Sequence, residues 1–286
     1  MKKQFSFIAI ILVFLLAACG GGSDQEDSST DQTDKEAGDD ATEIKIGASS
    51  TPHAEILEEA APLLEEEGII LEIEEYQDYV FPNDDVESGE LDANFFQHLP
   101  YLDQTVADTG YELESLGGIH IEPMGVYSKS ITDINDIPDE TEVILSNSVA
   151  DHGRVLALLE NEDLIQLDDS IDKETATIDD IVDNPKNLTF AADYEAAFLP
   201  EIYEKETETL VVINTNYAMD AGLNPLEDAL FIEGDESSYA NIIAVRTEDV
   251  DDEALNTVVD VLHSEEIQDF IMDHYDGAVV PVNDKE

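Results

Sequence analysis

The chain switches repeatedly between two spacings of apolar residues, one of period two and one of period 3.6. EIKIGA, residues 43–48, alternates and reads as a strand. Beyond it, AEILEEAAPLLEEEG places Ile56, Leu57, Ala60, Leu63 and Leu64 on one helical face. Thr51 reads as its N-cap, Pro52 as the first helical position and Gly68 as the stop. IILEIEEY alternates again, at Ile69, Leu71 and Ile73. FPNDDVESGE reads as a short helix and turn, LDANFF as a strand, and Pro100 opens the helix PYLDQTVADTG. The middle continues in the same way, with TEVILS, LTFAAD and TLVVIN as strands and DHGRVLALLEN, FLPEIYEKE and NYAMDAGL as helices. YANIIAVR is one more strand, and two acidic amphipathic helices close the chain. This order favours parallel sheets with helices on their faces, an α/β class. IHIEPMGVYS and YANIIAVR read as crossing points between two α/β lobes, residues 43–126 with 241–286, and residues 127–240. Ligands in such sheets sit beyond the carboxyl ends of the strands, here in the cleft between the lobes.

The first residues obey different rules. Lys2 and Lys3 precede an apolar run from Phe5 to Leu16, and L-A-A-C ends at Cys19. The run is too short for an ordinary membrane span and reads as a secretory signal, residues 1–18. Its end resembles the bacterial lipobox, in which the cysteine receives a lipid and becomes the new N-terminus. Cys19 is the only cysteine, so no intramolecular disulfide is possible. From Cys19 to residue 42 the chain is Gly, Ser, Thr and acids, the composition of a disordered tether. The expected state is a folded body held to the outer face of the cell membrane by its lipid.

Charge narrows the partners. Seventy Asp and Glu face eleven Lys and Arg, a formal net charge of −59. Phosphates would be repelled, which argues against nucleic acid. The acids fall on helix faces and loops, as in LEEAAPLLEEEG, and form a solvated coat rather than a metal site. Such a coat repels itself unless salt screens it, so a salt-adapted organism is the expectation.

Three groups of residues stand out for chemistry. DANFFQHLPYL crowds aromatic residues at a strand end, where Phe95 and Phe96 point to opposite faces. From the pattern alone, core packing and a cleft wall are both open for Phe96, His98 and Tyr101. In SNSVADHGRVLALLE, Arg154 follows Gly153 in what reads as the first turn of a helix. A guanidinium at a helix N-terminus suits a carboxylate, although a surface pair with one of the many acids is the plainer reading. Asp151 complicates the site by adding negative charge. The third group is Asn147, Asn214 and Asn241, whose amide oxygens can accept from an ammonium group, though Asn also serves turns.

QDYVFPNDDVESGELDANFFQHLPYLDQ, GRVLALL, VDNPKNL, VVINTNYA, SSYANIIAVR and GASSTPHAEILE together closely resemble the methionine-binding lipoproteins of bacterial ABC importers, the NlpA lipoprotein family. The resemblance covers nearly the whole body, in order, and the lipobox. It implies a type II periplasmic-binding-protein fold, a permease and ATPase as partners, methionine (L or D) as ligand, no catalysis and no cofactor. By position it implies that Arg154 grips the ligand carboxylate, that Asn241 binds the ammonium, and that Asn214 helps to line the polar end; Asn147 stays a ligand-binding candidate from the asparagine set. Tyr79, Phe96, His98 and Tyr101 would enclose the thioether, a favourable sulfur–aromatic contact; Phe95 would then belong to the core. The sequence departs from the family where Asp151 replaces an asparagine, where Ser146 replaces a proline, and around DYEAAFL. Asp151 is therefore expected to weaken carboxylate binding or to shift preference toward another amino acid or a short methionine-containing peptide.

An exported hydrolase using His98 or His120 is the rival class. No G-x-S-x-G or H-E-x-x-H occurs, and the six histidines lack metal-ligand spacing. His53 reads as a local hydrogen-bonding residue at a helix start, and His263 and His274 as structural.

Overall fold

A computed structural model describes residues 41–234 and 239–282. The expected signal segment and the tether, with Cys19, lie outside the described residues up to Asp40, and the first strand already begins at Thr42.

The first lobe opens with β1 (Thr42–Ser49), α1 (Glu55–Glu66), β2 (Ile69–Tyr76), α2 (Phe81–Ser88), β3 (Ala93–His98), α3 (Leu99–Thr109) and β4 (Leu113–Ile121). The chain then builds the second lobe from β5 (Gly125–Tyr127), β6 (Glu142–Ser146), α4 (Val149–Asn161), β7 (Gln166–Leu167), β8 (Ile181–Asp183), β9 (Thr189–Tyr194) and α5 (Leu199–Lys205). That lobe ends with β10 (Thr209–Ile213), α6 (Thr215–Asp220), α7 (Pro225–Asp228) and β11 (Phe231–Ile232). The return to the first lobe comprises β12 (Ala240–Arg246), α8 (Glu253–Leu262), α9 (Glu265–Tyr275) and β13 (Val280–Pro281). The first sheet has the order β13-β4-β12-β3-β1-β2, the second β11-β5-β10-β6-β9, and β7 pairs with β8.

Burial explains these places. Ile44, Ile46 and Ala48 of β1 are buried in the middle of the first sheet, under Ile56, Leu57, Ala60 and Leu64 of α1 and the apolar stripes of α8 and α9. β2 lies at the sheet's edge and keeps its glutamates in solvent, so its alternation is the clearest in the chain. A separate core in the second lobe packs Val143, Leu145, Leu210 and Val212 against Val155, Leu156 and Leu159 of α4.

Four expectations change. The sheets are mixed: β12 runs antiparallel to both β3 and β4, because it returns from the other lobe rather than through a helical crossover. β5 belongs wholly to the second sheet, so the first crossing lies between Ile121 and Gly125 rather than after Val126. Thr51 does not cap α1: the Thr51–Pro52 peptide is cis, Thr51 is extended, and residues 50–54 form a wide turn that carries His53 inward before the helix starts at Glu55. Finally, α4 begins at Val149 after Ser148, so Asp151 occupies its first turn and Arg154 its second. The guanidinium therefore does not share a site with the helix's free N–H groups.

Candidate functional site

Strand ends and loops from both lobes meet around a small polar cavity of about 20 Å³, room for about one water. The period-two geometry of β3 sends Phe95 into the core, fully buried, and Phe96 into the cavity wall. There Phe96 joins Tyr79 and Tyr101, with ring centroids 5.6 Å (Tyr79–Phe96), 6.0 Å (Tyr79–Tyr101) and 5.9 Å (Phe96–Tyr101) apart. Tyr217 packs on the other side of Tyr79 at 4.9 Å.

His98 links the lobes. It stands at the N-cap of α3, where its Nδ1 accepts the Tyr101 backbone N–H at 3.2 Å. Its Nε2–H therefore donates to Asp151 Oδ1 at 3.0 Å. A second link is the Tyr79 hydroxyl, which donates to Asn216 Oδ1 at 2.6 Å. Burial pushes the Asp151 carboxyl up, but the His98 hydrogen bond, with Arg154 and Asn214, brings it below the usual aspartate range, so it is ionised.

Arg154 is 5% exposed and firmly held. Its Nε and Nη2 donate to Glu233 Oε2 at 2.8 and 2.5 Å, and Nη2 also donates to the Glu122 carbonyl at 2.6 Å. The guanidinium lies 4.8 Å from the centre of the Tyr239 ring, a cation–π contact.

Behind Arg154 lies a buried hub. Glu122 Oε1 sits 3.1 Å from His53 Nε2 and 2.9 Å from His120 Nε2, while Oε2 accepts the Asn216 backbone N–H at 3.0 Å. His53 Nε2 is also 3.1 Å from Asn241 Oδ1. Burial drives His53 down to about 4 and His120 to about 3, so both rings are neutral, and burial raises Glu122. The three ligand atoms lie within 4.8 Å of one another, a spacing a metal ion could span. The donor set fits poorly. Both Nδ1 atoms are buried without a partner, whereas metal-bound imidazoles use that nitrogen to donate to an outer group. The cluster works as a hydrogen-bond hub tying the turn before α1 to β4 and α6.

The cavity thus gathers seven of the singled-out residues, Tyr79, Phe96, His98, Tyr101, Arg154, Asn214 and Asn241. Asn147 stands apart, in an outer groove of about 320 Å³ that shares Tyr79 and Tyr101 with the cavity. His53 is not local: its partner Asn241 is 188 positions away. His263 binds the Gly118 carbonyl and His274 stacks on Phe270, both far from the cavity lining. Sequence reasoning missed Glu122, Asn216 and Gln97, which also line the cavity. His120 and Glu122 share one face of an apolar stretch at period two, a usable signal of buried polar chemistry. Asn216 carried none beyond the N-T-N triplet.

The family model described as NlpA lipoprotein matches residues 44–283. The chain belongs to this family. Methionine-binding lipoprotein MetQ of Bacillus subtilis is 43% identical over 288 residues, spanning 99% of this chain and 100% of that relative. A nutrient-binding protein from Burkholderia cenocepacia, solved bound to methionine, is 37% identical with a TM-score of 0.78, covering 83% of this chain and 99% of its own. An ABC transporter periplasmic substrate-binding protein from Coxiella burnetii is 36% identical with a TM-score of 0.78, covering 84% of this chain and 100% of its own. The fold of the body is accordingly the two-lobed periplasmic-binding fold of this lipoprotein family. Among the described residues no helix is long and apolar enough to cross a membrane.

Proposed function

We propose that this protein is a lipid-anchored extracytoplasmic binding protein that captures methionine, L or D, and hands it to an ABC permease and its ATPase. The observation that carries the reading is the two-ended cavity between the lobes. One end is the wall of Tyr79, Phe96 and Tyr101; the other is Arg154 with a set of asparagines. An aromatic wall suits a thioether, and a buried guanidinium suits a carboxylate. The relatives whose names specify methionine, and the one named for an ABC transporter, support the same ligand and partners. Cys19 carries the lipid, and the tether gives the body reach from the outer face of the membrane.

The role is binding rather than catalysis. Each imidazole near the cavity has its Nε2 bonded to a carboxylate or an amide, and among the described residues no Ser or Thr hydroxyl is paired with one of them as a nucleophile would be. The cavity at about 20 Å³ is far below the roughly 300 Å³ of an ordinary small-molecule pocket. A ligand enters when the lobes part, breaking the His98–Asp151 and Tyr79–Asn216 bonds, and its differential affinity for the closed arrangement draws them together. The test is to identify by mass spectrometry what the purified protein releases on denaturation, and then to screen the refolded protein against all common amino acids by thermal shift. Methionine in the released fraction, with methionine giving the largest shift, supports the reading. A different amino acid in both experiments overturns it.

A further inference from the structure

The polar groups around the cavity are unequally used. Glu122 Oε1 lies 2.9 Å from His120 Nε2 and 3.1 Å from His53 Nε2, whose one proton it shares with Asn241 Oδ1, and Oε2 accepts the Asn216 backbone N–H. Asn241 has its Oδ1 against His53, which leaves its NH2 as the group it can offer a ligand. Asn216 accepts the Tyr79 hydroxyl on Oδ1, and its Nδ2 is buried with no partner, the side chain being 2% exposed. Arg154, Asn216 and Asn241 thus offer N–H donors, while both Glu122 oxygens already face an N–H.

Asp151 is the less satisfied of the two lining carboxylates. It is 2% exposed and ionised, yet only Oδ1 has a hydrogen bond of ordinary length, from His98 at 3.0 Å. Oδ2 has two contacts at 3.4 Å, to Ser146 Oγ and Asn214 Nδ2, at the outer limit of hydrogen bonding. His98 keeps its Nδ1 on the Tyr101 N–H and gives Asp151 one hydrogen bond. Arg154 is the one cation among the described cavity residues, and Glu233 already pairs with it. Asp151 and Arg154 are three residues apart on α4, hence neighbours on one helical face. The cavity thus presents a carboxylate beside a guanidinium, the complement of an α-amino acid, whose two charges sit on adjacent carbons.

We infer that Asp151 is the group that recognises the ligand's ammonium and makes a free α-amine the condition for binding, while Arg154 and the amide NH2 groups of Asn216 and Asn241 read the carboxylate. The inference rests on the methionine-binding reading and moves Asn241 from the ammonium to the carboxylate end. It also gives the departure from the family's asparagine a role. An N-blocked ligand would leave a buried carboxylate facing a group that cannot pair with it, so peptides with methionine at any position but the first are rejected.

The test is calorimetric titration of the full chain in detergent, wild type and Asp151→Asn. The ligands are L-methionine, N-acetyl-L-methionine and the hydroxy acid in which a hydroxyl replaces the amine. Losing one partner of a buried charged pair predicts that the wild type binds both analogues at least about 100-fold more weakly than methionine. In Asp151→Asn, methionine weakens by about tenfold or more, and the preference for methionine over the hydroxy acid falls below about tenfold. If the wild type binds either analogue within about threefold of methionine, or Asp151→Asn keeps full affinity for methionine, the inference is wrong. Should Asp151→Asn fail to fold, the wild-type ligand series alone decides. A wild type that binds no methionine overturns the underlying reading, and this inference with it.

Discussion

Gly153 offers a sharp test of how the site is built. It lies inside α4, where alanine is ordinarily the better residue by about 1 kcal/mol. Here the helix presses on another segment. A Cβ at residue 153 would lie 2.3 Å from the Glu174 carbonyl oxygen and 2.5 Å from that of Lys173. Both obstacles are backbone, so no side-chain rotation relieves them. Overpacking of this kind costs up to about 3 kcal/mol, and subtracting the helix gain leaves Gly153→Ala destabilised by about 2 kcal/mol. For a body of this size that corresponds to a fall in melting temperature of about 4–8 °C. The same displacement would move Asp151 and Arg154, which flank Gly153 on the helix, so ligand affinity should fall in parallel. The assay is thermal unfolding of both proteins in one buffer, without and with saturating ligand. A melting temperature that rises by a few degrees, as it would at an unobstructed helix position, refutes the close approach and the account of why glycine precedes Arg154.

Other expectations follow from the same geometry. Tyr79→Phe removes the hydroxyl that bridges the lobes to Asn216 and leaves Asn216 Oδ1 unpaired, which predicts a loss of ligand affinity of about 5–30-fold by calorimetry; unchanged affinity would show that the bridge does not help closure. His53 and His120 titrate in the fold near 4 and 3, below the ordinary 6.5, so on acidification the unfolded chain binds protons first and stability is lost from about pH 6.5 down toward 3. Glu122, raised by burial, acts in the opposite sense as pH falls through its own range, because there the folded state takes the proton first. Melting temperatures across that window should fall less steeply in His120→Asn than in the wild type, and parallel curves would contradict the assignment. With a net charge of −59, the melting temperature should rise as sodium chloride is added, and a flat response would remove self-repulsion as a significant cost.

Much of this molecule can be read from local pattern, because burial in a strand or helix is written at period two or 3.6. The opposite fates of Phe95 and Phe96 follow from their adjacency on β3 alone. What local pattern leaves hidden is pairing between distant segments. His53 reads as a helix-start residue, yet its ring is anchored by Glu122 and Asn241, which are distant in sequence and adjacent in the fold. Asn216 gained its meaning only from Tyr79, 137 positions earlier. α4 starts before the Asp151 that the pattern predicts, because Val149 and Ala150 open a first turn that carries no capping hydrogen bond from Ser148. Gly153 then looked like part of an N-terminal anion site, when its small size instead serves the approach of residues 173–174.

The most direct measurement of the central claim is calorimetric titration of the refolded protein with L- and D-methionine, beside Arg154→Ala. Saturable one-to-one binding of at least one enantiomer, weakened by at least about 100-fold in Arg154→Ala, is the predicted result. No binding of either enantiomer by the wild type, or equal binding by Arg154→Ala, would contradict the account.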